Sequence, residues 1–341
     1  MNMARSDHCG WRLAPKWAAW VGVLVLGLWF AGANPTWGQD SLKGAVRSWF
    51  GALAAATTVA DPGPLPDGVV IWQAPGCRGI RLEPGRFRVA PLVWSGSHGL
   101  LDEVRRRAAS DAALLAAING TFYSMQGPLG PIVIDGRVPE RPRPLPGTLS
   151  RCCLVVIEED GRRRWRLGET AASLATLVGP GWPPGLSVNR PVAPGARVVH
   201  LLGGGGWIVR QGRDVHMEAY QRQRFRFRRV DQDSRHTVVA MDDQDRLYLL
   251  VFENGANLSR VSAVLRDRAH FPGITEAVFF DGGSSSTLVW RDDYLVAPLY
   301  LIDKARFSAI GVWSVAAGAT GSPATGSASL PTDPGAGPTA P

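Results

Sequence analysis

The segment Ala277-Val278-Phe279-Phe280 is wholly apolar and runs directly into Asp281-Gly282-Gly283-Ser284-Ser285-Ser286. A strand with no polar side must be covered on both faces, so the chain needs a sheet with material packed above and below it. The carboxylate and the paired glycines then stop the strand, and glycine lets backbone approach a ligand closely. The same residues also suit a plain capped turn, in which Asp and Ser satisfy backbone groups. No G-x-S-x-G pattern lies nearby, so this is not a serine-hydrolase elbow.

Other segments carry strand or helix patterns on either side of it. Val69–Trp72, Phe87–Trp94 and Leu114–Ile118 read as strands, the last ending at Asn119-Gly120. A helix is predicted over residues 98–109, with Leu100, Leu101, Val104 and Ala108 on one face. Leu154–Ile157 and Trp165–Leu167 flank Asp160-Gly161, a hairpin signal. Val238–Met241 and Leu247–Phe252 form a second hairpin, and Val198–Leu202 a strand entering Gly203–Gly206. Asn257 caps a helix from Leu258 to Asp267, and Thr287–Trp290 and Ala309–Val315 complete the strands. This interleaving predicts an α+β fold: a mixed β-sheet core flanked by helices, in a single catalytic-type domain over residues 68–316.

The two ends read differently. Arg5, Arg12 and Lys16 precede the uncharged run Trp17–Ala33, which predicts a signal peptide or signal anchor over residues 1–33. The protein is therefore expected to be exported to the periplasm or beyond, with inner-membrane anchoring through Trp17–Ala33 as an option. Residues 34–67 read as a linker. Residues 317–341 are Gly, Ala, Pro, Ser and Thr with little apolar bulk, which predicts a disordered tail.

The formal charge of +8 is carried by arginine, the lysines being Lys16, Lys43 and Lys304 alone. No nucleic-acid-binding module accompanies that charge, so nucleic acid is not an expected partner. The densest run, Arg222 to Arg229, alternates as an amphipathic strand with one basic face. Cys77, Cys152 and Cys153 follow the export segment; they are read either as buried small hydrophobes or as a bridge from Cys77 to one of the adjacent pair. No C-x-x-C spacing favours zinc.

Three further features carry chemistry. Asn119-Gly120-Thr121-Phe122-Tyr123 sets an amide and two aromatic rings at a strand end, which suits sugar hydroxyls and an apolar sugar face. Leu202-Gly203-Gly204-Gly205-Gly206-Trp207 lacks the lysine or helix start of a nucleotide loop. In Ser234-Arg235-His236-Thr237, Arg235 has the fork geometry to clamp a phosphate and His236 can shuttle a proton near neutral pH.

Taken in order, these four pieces resemble the phosphodiester glycosidase family, whose best-known members remove N-acetylglucosamine from a phosphodiester on mannose. The resemblance covers roughly residues 68–315 of this sequence. The Asn-Gly-x-Phe-Phe-like segment is met by Asn119 to Tyr123, and the Asp-Gly-Gly-x-Ser-Ser segment by Asp281 to Ser286. The Gly-Gly-Pro-x-Leu-like loop is met loosely by Gly204 to Ile208, and His236 stands between Arg235 and Thr237 of the Arg-Thr pair.

The resemblance implies cleavage of a sugar-1-phosphodiester at its glycosidic bond, in envelope or extracellular glycans. Asp281 is then the base or nucleophile and Arg235 stabilises the phosphate. Glu253 is the leading second carboxylate, with Asp135 behind it. Asn119, Gly120, Phe122, Tyr123, His236, Gly282, Gly283, Ser284, Ser285 and Ser286 bind the sugar-phosphate substrate. No cofactor is required. Two rival readings use the same residues: a non-catalytic carbohydrate-binding or exopolysaccharide-assembly protein, and a phosphodiesterase holding a divalent metal between Asp242, Asp243 and Asp281.

Overall fold

The computed structural model describes residues 62–315, apart from 96–97, 125–126, 140–149, 172–176, 179–180, 223–231, 300–302, 304 and 306. All of these belong to one compact unit, Thr58–Pro341. The chain opens with β1 (Val69–Ala74), β2 (Cys77–Leu82), β3 (Phe87–Val93), α1 (Leu100–Ala108) and β4 (Leu114–Asn119). Then come β5 (Tyr123–Ser124), β6 (Gly127–Pro128), β7 (Ile132–Val133), β8 (Arg151–Glu159), β9 (Arg162–Thr170), β10 (Leu186–Val188) and β11 (Arg197–Gly203). The run β12 (Trp207–Arg210), β13 (Arg213–Asp214), α2 (His216–Arg222), β14 (Ser234–Asp242) and β15 (Leu247–Ala256) follows. The last elements are α3 (Leu258–Arg266), β16 (Ile274–Phe279), β17 (Leu288–Trp290), β18 (Asp293–Val296) and β19 (Ser308–Ser314).

The strands form a seven-stranded sheet, β1-β2-β15-β14-β16-β12-β13, two five-stranded sheets, β10-β9-β8-β11-β7 and β18-β17-β4-β19-β3, and the small pair β5-β6. The neighbouring strands of the three large sheets run antiparallel. This corrects the expected α+β fold with a mixed sheet: the protein is mostly β, with three short helices among the described residues. The wholly apolar segment Ala277–Phe280 needs cover on both faces, and flanking helices are the expected cover. Here sheet-on-sheet packing covers one face instead, and a helix or loop covers the other.

One core cluster joins all three large sheets, bringing Ile80, Val239, Val278 and Phe280 against Ile118, Ile310 and Leu154. On the outer face of the seven-stranded sheet, Leu258, Val261 and Leu265 of α3 pack on Val238, Leu250 and Phe279. Each such side chain leaving water contributes about 1.5–3 kcal/mol. The Asn257 side chain caps α3 by accepting from Arg260 N at 2.9 Å, as its sequence position predicts. Helix α1 covers the third sheet through Leu100 and Val104. Its first turn is capped from far along the chain, where Asp303 Oδ2 accepts from Leu101 N at 3.1 Å.

Several sequence expectations are settled here. Cys77, Cys152 and Cys153 are buried and not joined by a disulfide, each in a different core cluster, so the Cys77 bridge does not form. The basic run Arg162–Arg164 opens β9, where Arg164 Nε meets Glu159 Oε2 at 3.3 Å. Arg222 ends helix α2 rather than starting a strand, and residues 223–229 of the expected basic strand lie outside the described residues. So do the Trp17–Ala33 run, most of the linker and the tail. No helix among the described residues is long and apolar enough to cross a membrane.

His200 of β11 is buried between two sheets, and burial lowers its pKa to about 4. The unfolded chain therefore binds an extra proton between pH about 6.5 and 4, so stability falls as pH drops through that window. Urea midpoints measured at pH 7 and pH 5 should show a loss of up to about 2 kcal/mol. That acid slope should flatten in His200→Gln.

Candidate active site

Asn119 ends β4, Thr237 lies near the start of β14, and Asp281 stands two residues past the end of β16. A buried polar network joins these strand ends. Asn119 Nδ2 donates to Asp281 O at 2.7 Å, and Asn119 Oδ1 accepts from Thr237 Oγ1 at 2.7 Å and Thr287 N at 3.1 Å. Thr237 Oγ1 also lies 3.1 Å from Ser286 Oγ. Phe280 N bonds Thr237 O at 2.8 Å and Asp281 N bonds Gly120 O at 3.2 Å. Such a fully satisfied network rigidifies the segment it holds, because leaving any member unpaired is costly. Asn119 is 1% exposed, so its amide positions Asp281 from behind.

Beyond this anchor the chain turns sharply. Gly282 is packed so closely that a Cβ there would lie 2.9 Å from Arg235 O, and Gly283 adopts φ +63, a conformation that favours glycine. Gly283–Ser285 then makes one 3-10 turn, with Ser285 and Ser286 buried and Ser284 half-buried. The Asp281 side chain is half-buried; it accepts from Gly282 N at 3.1 Å and from the Ser285 hydroxyl. Burial raises its pKa to about 6, and those two hydrogen bonds only partly oppose the rise.

The aromatic pair borders the same strand ends. Phe122 meets Phe279 edge-on at 6.4 Å between ring centroids, and Tyr123 packs against Phe307 at 5.6 Å. Gly120 is excluded from being any larger residue, since a Cβ would lie 2.8 Å from Ser308 Oγ.

Gly203–Gly206 is structural. Gly204 N bonds Cys152 O and Gly205 N bonds Phe279 O, each at 2.7 Å, so the loop passes from one sheet to another. A Cβ at Gly205 would overlap the Phe279 ring. Gly205→Ala is expected to destabilise the protein by about 1–3 kcal/mol and to disturb Phe122 through Phe279, read by urea unfolding.

Arg235 and His236 point to opposite faces of β14. His236 pairs across to Phe252 and donates from Nε2 to Ala256 O at 2.7 Å; burial lowers its pKa. Its imidazole is therefore neutral at pH 7. Arg235 is 7% exposed, sits in a register shift of β14, and donates from Nη2 to Ala297 O at 2.9 Å. Its Nε has no hydrogen-bond partner among the described residues. The carboxylate whose charge acts on Arg235 is Glu253, not Asp281.

The structure thus gathers Asn119, Gly120, Phe122, Arg235, His236 and Asp281–Ser286 around adjoining strand ends, with the Glu253 charge acting on Arg235 from the neighbouring strand, and it sends Asp135 and Asp242 elsewhere. Glu253 forms an ion pair with Arg78, Nε to Oε1 at 3.4 Å. Asp135 is an exposed residue at φ 49 in the turn after β7, beside His200. Asp242 closes the opposite end of β14 from Arg235, so the Asp242–Asp243–Asp281 metal trio is corrected: these carboxylates do not converge. Seven residues of extended strand separate the two ends by roughly 23 Å. The described residues hold no cluster of three or more His, Cys, Asp or Glu side chains fit for a metal.

Sequence reasoning missed Arg78, Thr287 and Ser308. Arg78 carried a signal, since it shares the inward parity of Ile80 and Leu82 on β2.

The family model described as phosphodiester glycosidase matches residues 112–312. The chain belongs to the phosphodiester glycosidase family. That stretch contains Asn119, Arg235, Glu253 and Asp281 and excludes Arg78. None of the curated proteins compared matches this chain. Among solved structures it is similar to the catalytic domain of zebrafish N-acetylglucosamine-1-phosphodiester alpha-N-acetylglucosaminidase, auto-inhibited by its pro-peptide. Identity is 18% over 76% of this chain and 87% of that one, with a TM-score of 0.52, a likeness of fold. A hypothetical protein from Synechocystis is similar at 16% identity and a TM-score of 0.47; the match covers 72% of this chain and 61% of that one.

Proposed function

We propose that this phosphodiester glycosidase family member hydrolyses a sugar-1-phosphodiester at the glycosidic bond, with Asp281 as the group that activates water or attacks the anomeric carbon. The observation that carries the proposal is the Asp281 carboxyl: half-buried, held at the end of an interior strand, with a pKa raised to about 6. A perturbed carboxylate beside glycines that admit close approach is the arrangement that acid–base and nucleophilic chemistry require. At pH 7 it is mostly ionised, the state a base or nucleophile needs. Phosphate is a good leaving group, so one carboxylate suffices where ordinary glycosidases use two.

In the net reaction, hydroxide from water joins the anomeric carbon, the C–O bond to phosphate breaks, and the proton ends on the departing phosphomonoester. Neutral His236 and the Phe122 and Tyr123 rings border the sugar, and Ser284 offers a hydroxyl to it. The basic n-region and apolar run before Ala33 support an exported protein acting on envelope or extracellular glycans.

The test is incubation of the purified protein with a panel of sugar-1-phosphodiesters, with and without chelator. Free sugar plus phosphomonoester, insensitive to chelator, is the expected result. Release of sugar-1-phosphate would show P–O cleavage instead, and glycan binding without any product would show a binding protein.

A further inference from the structure

Arg78, Glu253 and Arg235 come from three successive strands of the large sheet, β2, β15 and β14. Register puts Arg78 on the core-facing side, and the Arg78–Glu253 ion pair with the Glu253 charge acting on Arg235 brings the three together. Arg78 lies opposite Val251, and Val251 opposite Thr237, all at the parity of the central core. Glu253 is two residues beyond Val251, and Arg235 two residues before Thr237. Both guanidinium groups are then gathered by one short segment: Arg78 Nη1 donates to Leu295 O at 3.5 Å and Arg235 Nη2 to Ala297 O at 2.9 Å. Glu253 pairs with Arg78 at 3.4 Å.

That arrangement leaves two things unmet. Two guanidinium charges and one carboxylate sum to a single positive charge. Arg235, although 7% exposed, keeps an Nε without a partner among the described residues. A buried donor left unpaired is costly and calls for an acceptor from outside the chain.

We propose that Arg78, Glu253 and Arg235 form an anion subsite matched to one negative charge, the charge of a phosphodiester, and that Glu253 is a positioning residue rather than the second catalytic carboxylate. The inference rests on the phosphodiester substrate proposed above. A phosphodiester oxygen between the two arginines supplies the missing acceptor and cancels the net charge. A phosphomonoester, with close to two charges at pH 8, meets the Glu253 carboxylate as a repulsive neighbour. Glu253 thus selects the diester by rejecting the more highly charged monoester. Arg78 is a phosphate-contacting residue in this arrangement.

The test uses dimethyl phosphate and methyl phosphate as probes, so it does not depend on the sugar or on turnover. Thermal midpoints of the full-length protein at pH 8 should rise more with dimethyl phosphate than with methyl phosphate. In Glu253→Gln, which keeps the side-chain shape, apparent affinity for methyl phosphate should rise about tenfold and the order should reverse. Arg78→Gln should weaken both probes. Asp281→Asn should leave the order unchanged, which separates this subsite from the catalytic proposal. An unchanged preference in Glu253→Gln, or no response of the wild type to either probe, would overturn the subsite. So would a thousandfold loss of kcat in Glu253→Gln at unchanged probe preference, which would make Glu253 catalytic.

Discussion

Asp281→Asn is expected to abolish turnover and, at the same time, to make the folded protein harder to unfold at neutral pH. The first effect follows from removing the base or nucleophile, a loss of roughly a thousandfold or more in kcat. The second follows from linkage. The Asp281 pKa stands at about 6 in the fold, whereas an unfolded aspartate titrates near 3.9. Between those values the folded state holds the extra proton, so its stability falls as pH rises through that window and stays lower above it. Asparagine carries no charge to bury, and its benefit at pH 7 is on the order of 1–2 kcal/mol after allowance for partial exposure. At pH 4 the two proteins should unfold alike. Wild-type kcat/KM should in turn decline below pH about 6 as the carboxylate takes up its proton. If the variant keeps wild-type turnover on a substrate the parent cleaves, Asp281 is not the catalytic group.

Asp242→Ala is expected to produce the opposite pattern, a large loss of stability with intact chemistry per folded molecule. Asp242 is fully buried at the end of β14. It accepts from Gln244 N at 2.9 Å, Arg246 N at 3.0 Å, Arg246 Nε at 2.5 Å and Tyr248 Oη at 2.9 Å. Alanine leaves all four donors, one of them charged, without their acceptor, at a position that is itself fully buried. Breaking a buried ion pair in this way costs about 3–5 kcal/mol. Denaturant unfolding should register that loss, while kcat corrected for folded fraction stays near the parent value. A selective fall in kcat at unchanged stability would instead restore a metal-binding role for this end of the strand.

These two aspartates show how differently sequence and structure distribute their information. Both follow apolar strand residues and both precede turn-forming neighbours, so local pattern treats them alike. Only the sheet register shows that one stands at the end of β14 far from the site while the other is tied to Asn119 and Thr237. Glu253 teaches the same point: its place beyond an apolar strand suggested catalysis, and its partner Arg78 lies far back in the chain.

Local sequence determined the strands and the cap of α3, because alternation, turn residues and a side-chain N-cap act within a few residues. It also marked Asp281-Gly282-Gly283 as the end of an apolar strand, since a carboxylate followed by two glycines can close such a strand in few ways. Tertiary structure alone decided the fold class, because burial of a strand on both faces looks the same whether helices or another sheet supply the cover. It alone decided which charges meet as well. The fold pairs Glu253 with Arg78 and sets its charge on Arg235, and the network behind Asp281 joins residues more than a hundred positions apart. In Ala277–Ser286 an interior strand delivers a desolvated carboxylate to a glycine turn. Desolvation, not any neighbouring charge, raises that carboxyl's pKa, and no reading of one strand reveals how much water its neighbours exclude.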